Sequence, residues 1–234
     1  MPLNSAPPRE DGKGKQFQPT LGYVAPFIGF VGIMAIEQML GLPLIWSYAV
    51  RLAAVFLLLA LFSRPYLSFR PSAPLASIGI GIAVFLIWIG PDILFGYRHF
   101  WLFENALLGS AVTSIAPQWK TNLLFLAVRI LGTAVVVPIV EELFWRGWLM
   151  RWLIDKDFLK VPLRQYTPAA FWIVAVLFAS EHGSYWEVGL AAGIVYNCWI
   201  IHTRSLADCI LAHAVTNALL GAYVIAAGQW QYWL

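Results

Sequence analysis

From Tyr23 onward the chain runs in long apolar blocks separated by short clusters of Gly, Pro and charge. Each block is near the ~20 residues that carry a helix across a bilayer. The pattern predicts helices at about Tyr23 to Leu40, Leu44 to Phe62, Leu75 to Ile89, Thr121 to Val137, Ile139 to Ile154, Pro168 to Ser180, Glu187 to Ile201 and Ser205 to Ala227. Turn signals stand between them at Gly41 to Pro43, Arg64-Pro65, Arg70-Pro71, Gly90-Pro91, Pro138, Pro162 and His182-Gly183-Ser184. The predicted fold is all-α: a polytopic membrane helical bundle of about eight transmembrane helices, one domain over residues 23–228. A polar tail (1–22) precedes it and a short tail (229–234) follows. Several later blocks are shorter than a full span, which a membrane tolerates where the helix lines a protein-buried or watery cavity.

The apolar block after the tail is too long for a signal peptide and lacks a small-residue cleavage site, so it reads as a first membrane helix. Composition agrees: 60% of residues are hydrophobic and 12% charged, with a mean hydropathy of +0.72. A soluble domain carries roughly twice that charge. The net charge of +3 is small and its basic residues are scattered, which argues against nucleic acid as a partner. The mixed segment from Pro91 to Gln118 reads as an interfacial loop or a helix lying along the headgroups. Cys198 and Cys209 both fall in apolar blocks and read as buried thiols. The expected location is multi-pass in a bacterial cell membrane. Orientation stays open: tail cations with Arg64 and Arg70 favour a cytoplasmic amino terminus, but eight helices would put Arg151, Lys156, Lys160 and Arg164 on the opposite side.

Charge inside such blocks is the informative exception, because it costs at least a few kcal/mol at bilayer depth and usually serves a buried or wet site. In Pro138 to Gly147, Glu142 and Arg146 stand four apart and share a helical face, where they can pair. Glu141 points about 100° away and is left to act as a base. Phe178 and His182 close a second short block, and the histidine can project into a cavity. In the last block His213 and Asn217 share a face, one able to exchange protons and the other to meet an oxyanion.

These three patterns, EExxxR, FxxxH and HxxxN in that order, resemble the CPBP family of intramembrane proteases, which includes the type II CAAX prenyl endopeptidases and bacteriocin-processing relatives. The likeness covers about residues 120–227. It implies a peptidase in which Glu141 and His182 activate water and His213 and Asn217 stabilise the oxyanion. Glu142, Arg146 and Phe178 would be structural support. No cofactor is expected; the zinc alternative would use Glu141, His182 and His213, but the compact zinc spacings are absent. The implied partners are the bilayer, a hydrophobic or lipid-anchored peptide and, more remotely, a protein-sorting or processing system. Nothing points to prenyl binding beyond general apolarity.

Competing readings remain at each site. The same cluster could hold together a non-catalytic immunity factor, maturation chaperone or transporter-like relay. Cys209 with His213 could form a thiol pair, though a small buried hydrophobe is the simpler role; Ser180 and Ser184 lack a nucleophile elbow. Glu37 can pair with Arg51, Asp208 with Arg204 one turn back, and Arg129 with a carboxylate of the site. Glu181, His99 and His202 read as interface residues.

Overall fold

The computed structural model describes residues 19–41, 44–106 and 108–233. The predicted polar tail therefore falls, over residues 1–18, outside the described residues. Among those described, the chain is helical without strands and forms seven helices. These are α1 (Pro19–Leu40), α2 (Leu44–Leu58, prolonged by a π turn at Leu59–Ser63), α3 (Pro74–Phe95), α4 (Leu123–Trp152), α5 (Pro168–Ser180), α6 (Trp186–Thr203) and α7 (Leu206–Ala227). By length and composition, five segments can cross a membrane: Pro19–Glu37, Trp46–Tyr66, α3, α4 and α7. Their outer faces are apolar to the surface: Leu75, Leu94 and Leu123 are 83%, 75% and 82% exposed. Such a belt needs lipid, not water, around it.

Pro138 accounts for the difference from the predicted eight, and Pro91 for a longer third helix. Pro138 was expected to end one helix and start another, yet α4 runs through it. The turn before it, Gly132–Val136, opens to π geometry, with the Val137 N–H reaching back five residues to the Gly132 carbonyl. A π turn has room for a ring that would clash in an α turn. Pro91 likewise lies inside α3, which continues through Gly90-Pro91 to a stop at Gly96. The segment after it, to Gln118, is made of turns with short 3-10 pieces at Tyr97–His99 and Pro117–Trp119, without a long surface helix.

Because α4 is one span, its far end lies on the same side as the start of α1 and the end of α2. Tyr23 of α1 meets Tyr66 at 5.0 Å and Phe158 at 5.2 Å between ring centres, and Gly147 has room only for hydrogen where Tyr23 crosses it. On the same side Asp208, at the start of α7, accepts bonds from the Ser72 and Ala73 N–H groups and from the Ser72 and Ser77 hydroxyls, at 2.7–2.9 Å. It therefore caps α3 and is not the partner of Arg204 that spacing suggested; four free donors at a helix start outcompete one exposed arginine.

The opposite end is closed around Arg98. Its guanidinium donates to the Ser184 carbonyl at 2.7 Å and to Glu187 at 3.0 Å, lies 3.4 Å from Asp92, and covers the Tyr185 ring at 4.0 Å. Burial, and then the Glu187 carboxylate that it donates to, push the Tyr97 hydroxyl up to about 12, so it stays a donor. Tyr232 ties the last turn to Asp92 at 2.9 Å, and Tyr185 donates to the Gln231 carbonyl.

α5 is the short element. Thr167 caps it and Pro168 starts it, and its thirteen residues at 1.5 Å each reach only ~20 Å, short of the ~30 Å hydrocarbon core. Its end, and with it His182, is therefore delivered inside the bundle.

Candidate active site

Four helices converge on one buried carboxylate. Glu142, fully enclosed, accepts through Oε1 from Arg146 Nη1 and from His213 Nδ1, each at 2.9 Å. Arg146 continues outward: Nε donates to Asn197 Oδ1 at 3.0 Å and Nη2 to the Gly193 carbonyl at 3.3 Å. Its planar face lies over Phe178 at 4.5 Å and Tyr196 at 5.4 Å. That gives the phenylalanine of the second motif a task, since a desolvated guanidinium on a ring gains ~2 kcal/mol. Asn197 in turn donates to the Phe171 carbonyl at 2.9 Å, fastening α6 to α5. Close approach of these two helices depends on Gly193, where an added Cβ would come within 3.2 Å of the Ala175 carbonyl.

Glu141, Glu142's neighbour, faces elsewhere. It lines a cavity of about 190 Å³ together with His182, His213 and Asn217, and its Oε2 is buried with no hydrogen-bond partner among the described residues. An unsatisfied buried carboxylate oxygen is expensive. One beside a cavity is a place for water or a reacting group.

The two histidines are oriented alike. Nδ1 of His182 lies 2.8 Å from the Phe178 carbonyl, and Nδ1 of His213 is held by Glu142. A carbonyl and a carboxylate only accept, so Nδ1 carries hydrogen in both rings and Nε2 is left to meet the cavity. His182 is further set by Trp88 and Phe178, with ring centres at 5.1 and 4.9 Å, and His213 stacks on Tyr196 at 5.1 Å. Gly189 lets the His182 ring in: an added Cβ would stand 2.9 Å from Nδ1. Gly183, at φ +51°, makes the turn directly after it.

Asn217 is positioned by the irregularity of α4. The π turn directs Val137 to Gly132, and Pro138 has no N–H, so the Thr133 carbonyl loses its intrahelical donor. Asn217 Nδ2 supplies one at 2.8 Å. Its second amide hydrogen remains for another acceptor.

Sequence reasoning missed the His213 to Glu142 bond and the parts played by Asn197, Tyr196 and Trp88. An asparagine inside an apolar block was a usable signal, by the rule that singled out the glutamates. The aromatic residues offered none. Arg129, expected near a carboxylate of the site, lines the cavity between the rings of Tyr48 and Trp233, at 5.0 and 4.9 Å. Glu37 does pair with Arg51, Nε to Oε2 at 2.9 Å. Cys198 and Cys209 are free thiols; Cys198, expected to be buried, is exposed on α6, whereas Cys209, wholly buried, points its sulfur at the Tyr196 carbonyl. Ser180 and Ser184 bond backbone carbonyls and do not line the cavity. Among the described residues no three His, Cys, Asp or Glu side chains group as a metal would require.

Residues 121–219 match the family model described as Rce1-like, type II CAAX prenyl endopeptidase Rce1-like. All three motifs fall inside that segment, so the resemblance they carry is borne out. No curated protein and no solved structure matches the chain.

Proposed function

Starting from that endopeptidase likeness over residues 121–219, we propose that this integral membrane protein hydrolyses a peptide bond of a hydrophobic or membrane-tethered substrate with water activated at Glu141. The observation that carries the reading is the unpartnered Glu141 oxygen beside a cavity shared with His182, His213 and Asn217. Water held between Glu141 and His182 Nε2 loses a proton to them as its oxygen attacks the scissile carbonyl. The same proton then passes to the leaving amine as the carbon–nitrogen bond breaks. Charge building on the carbonyl oxygen is met by the spare Asn217 amide hydrogen. His213, its ring fixed through Nδ1 by Glu142, stands beside the same oxygen. The Glu142–Arg146 pair holds His213, and the Thr133 carbonyl holds Asn217, in place before substrate arrives, which is where such sites gain most of their rate. The reaction as written needs no metal, and a bacterial cell membrane is the proposed setting.

The test uses purified protein and a quenched fluorescent peptide anchored in detergent or lipid. Glu141→Gln should lose at least about 10³-fold in rate while the protein stays folded, and His182→Ala about 10²-fold or more. Incubation with a strong zinc chelator should leave the wild-type rate unchanged. Full activity in a folded Glu141→Gln protein would refute the assignment, and a chelator-induced loss restored by zinc would replace it with a metal mechanism.

A further inference from the structure

The two ends of the bundle carry very different charge. At the end where Tyr23, Tyr66 and Phe158 meet, the connections among the described residues hold Arg64, Arg70, Lys156, Lys160, Arg164 and Arg204. At the other end the long connection from 96 to 122 holds Arg98 and Lys120. Arg98 is buried and neutralised by Asp92 and Glu187, and Lys120 lies over the Trp230 ring at 5.3 Å. Short loops rich in Lys and Arg stay on the cytoplasmic side of a membrane. The conflict seen with eight helices came from counting α4 twice; with one span there, the basic connections share a side.

The cavity belongs to the other side. Along α4 its wall runs Arg129, Thr133, Val137, Glu141, one residue per turn, a length of about 18 Å at 1.5 Å per residue. Glu141 lies at the deep end, and Arg129 is two turns inside the helix start at Leu123, near the Arg98 end. Tyr232 and Trp233, packed at that same end, also line it. Tyr23, Tyr66, Arg151 and Arg204 of the basic end do not; they line a separate pocket.

We propose that the cavity is served from the non-cytoplasmic face, and that its substrates are therefore membrane-anchored segments of polypeptides already carried across the bilayer. The substrate class rests on the peptidase reading above; the sidedness does not. A cytoplasmic peptide, however apolar, would have to part the basic end, whose Tyr23, Tyr66, Arg151 and Arg204 take no part in the cavity, to reach Glu141. An exported chain held at the outer face meets the mouth directly.

Labelling with a membrane-impermeant maleimide tests the orientation without reference to activity. Cys198 and Cys209 are first replaced by Ser, and single cysteines are introduced as His99→Cys and Lys160→Cys, positions whose side chains are 90% and 78% exposed. In intact cells His99→Cys should react and Lys160→Cys should react only after permeabilisation. A third variant, Val137→Cys, probes the cavity wall with a small impermeant thiosulfonate. It should react from the side that labels His99→Cys. Labelling of Lys160→Cys in intact cells, protection of His99→Cys there, or access to Val137→Cys only from the Lys160 side would each overturn the proposal. Loss of cleavage in Glu141→Gln alongside any of these results would leave the peptidase reading standing and remove only the sidedness.

Discussion

Glu37–Arg51 and Glu142–Arg146 each join a buried carboxylate to a buried guanidinium, and only the second belongs to the candidate site. Glu37 and Arg51 join α1 to α2, with the arginine beside Phe30 and Tyr48 at 5.3 and 5.0 Å. Glu142 and Arg146 lie on one helix. The difference is in what each pair holds. Each guanidinium lies against two rings, and each carboxylate keeps one oxygen, Glu37 Oε1 and Glu142 Oε2, without a partner among the described residues. Around Glu142 and Arg146 the bonds continue to His213, Asn197 and the Gly193 carbonyl, so two further helices, α6 and α7, take their positions from the pair. A buried ion pair alone often adds little stability over apolar packing. It marks function when it fixes groups that face a cavity.

The largest effect should follow removal of Arg146. Arg146→Met leaves Glu142 enclosed without its cation and strips Asn197 and Gly193 of a donor, a change that costs about 3–5 kcal/mol when one partner of a buried pair is lost. Thermal unfolding in detergent should fall steeply and peptidase activity should vanish. Adding Glu142→Gln should return much of the fold but little of the activity, because His213 would still lack its carboxylate. Recovery of both together would mean that the pair is structural in the same sense as Glu37 and Arg51.

A smaller and more selective loss is expected at Gly189. In Gly189→Ala the new methyl would stand 2.9 Å from His182 Nδ1 and 3.0 Å from its ring carbon Cγ. The ring must swing away from the Phe178 carbonyl, while Glu142, Arg146 and His213 are untouched. Misplacing a reacting group by about 1 Å can cost ~10²-fold. The rate constant kcat should drop by that order, with KM and the unfolding temperature nearly unchanged. A matching fall in stability would show that α5 and α6 have separated and that His182 was not singled out.

Both pairs were legible as i to i+4 spacing or as opposite charges in adjacent blocks, and so was the cavity quartet, because polar residues in apolar helices are few and each needs a reason. What spacing could not supply was connection across the chain. His213 lies 71 residues from Glu142, and nothing near either residue announces the other. The count comes to seven among the described residues for a local reason: Pro138 is a boundary signal by every backbone rule, and the π turn that absorbs it has no sequence signature. That one irregularity hid the orientation of the chain and also created the free Thr133 carbonyl that positions Asn217.

The smallest effect should come from deleting the other pair outright. Glu37→Gln with Arg51→Met removes both charges together, so neither is left buried alone, and the methionine can fill the space beside Phe30 and Tyr48 with a flexible apolar chain. Replacing a buried pair by apolar or neutral groups of similar volume is often neutral or mildly stabilising. The double variant should therefore unfold within about 1 kcal/mol of wild type and cleave peptide at the wild-type rate, whereas Arg51→Met alone should be clearly destabilised by the stranded Glu37. The comparison between the two pairs rests on this asymmetry. Activity lost in a stable double variant would show that α1 and α2 shape the cavity, and would move the Glu37 and Arg51 pair into the same class as Glu142 and Arg146.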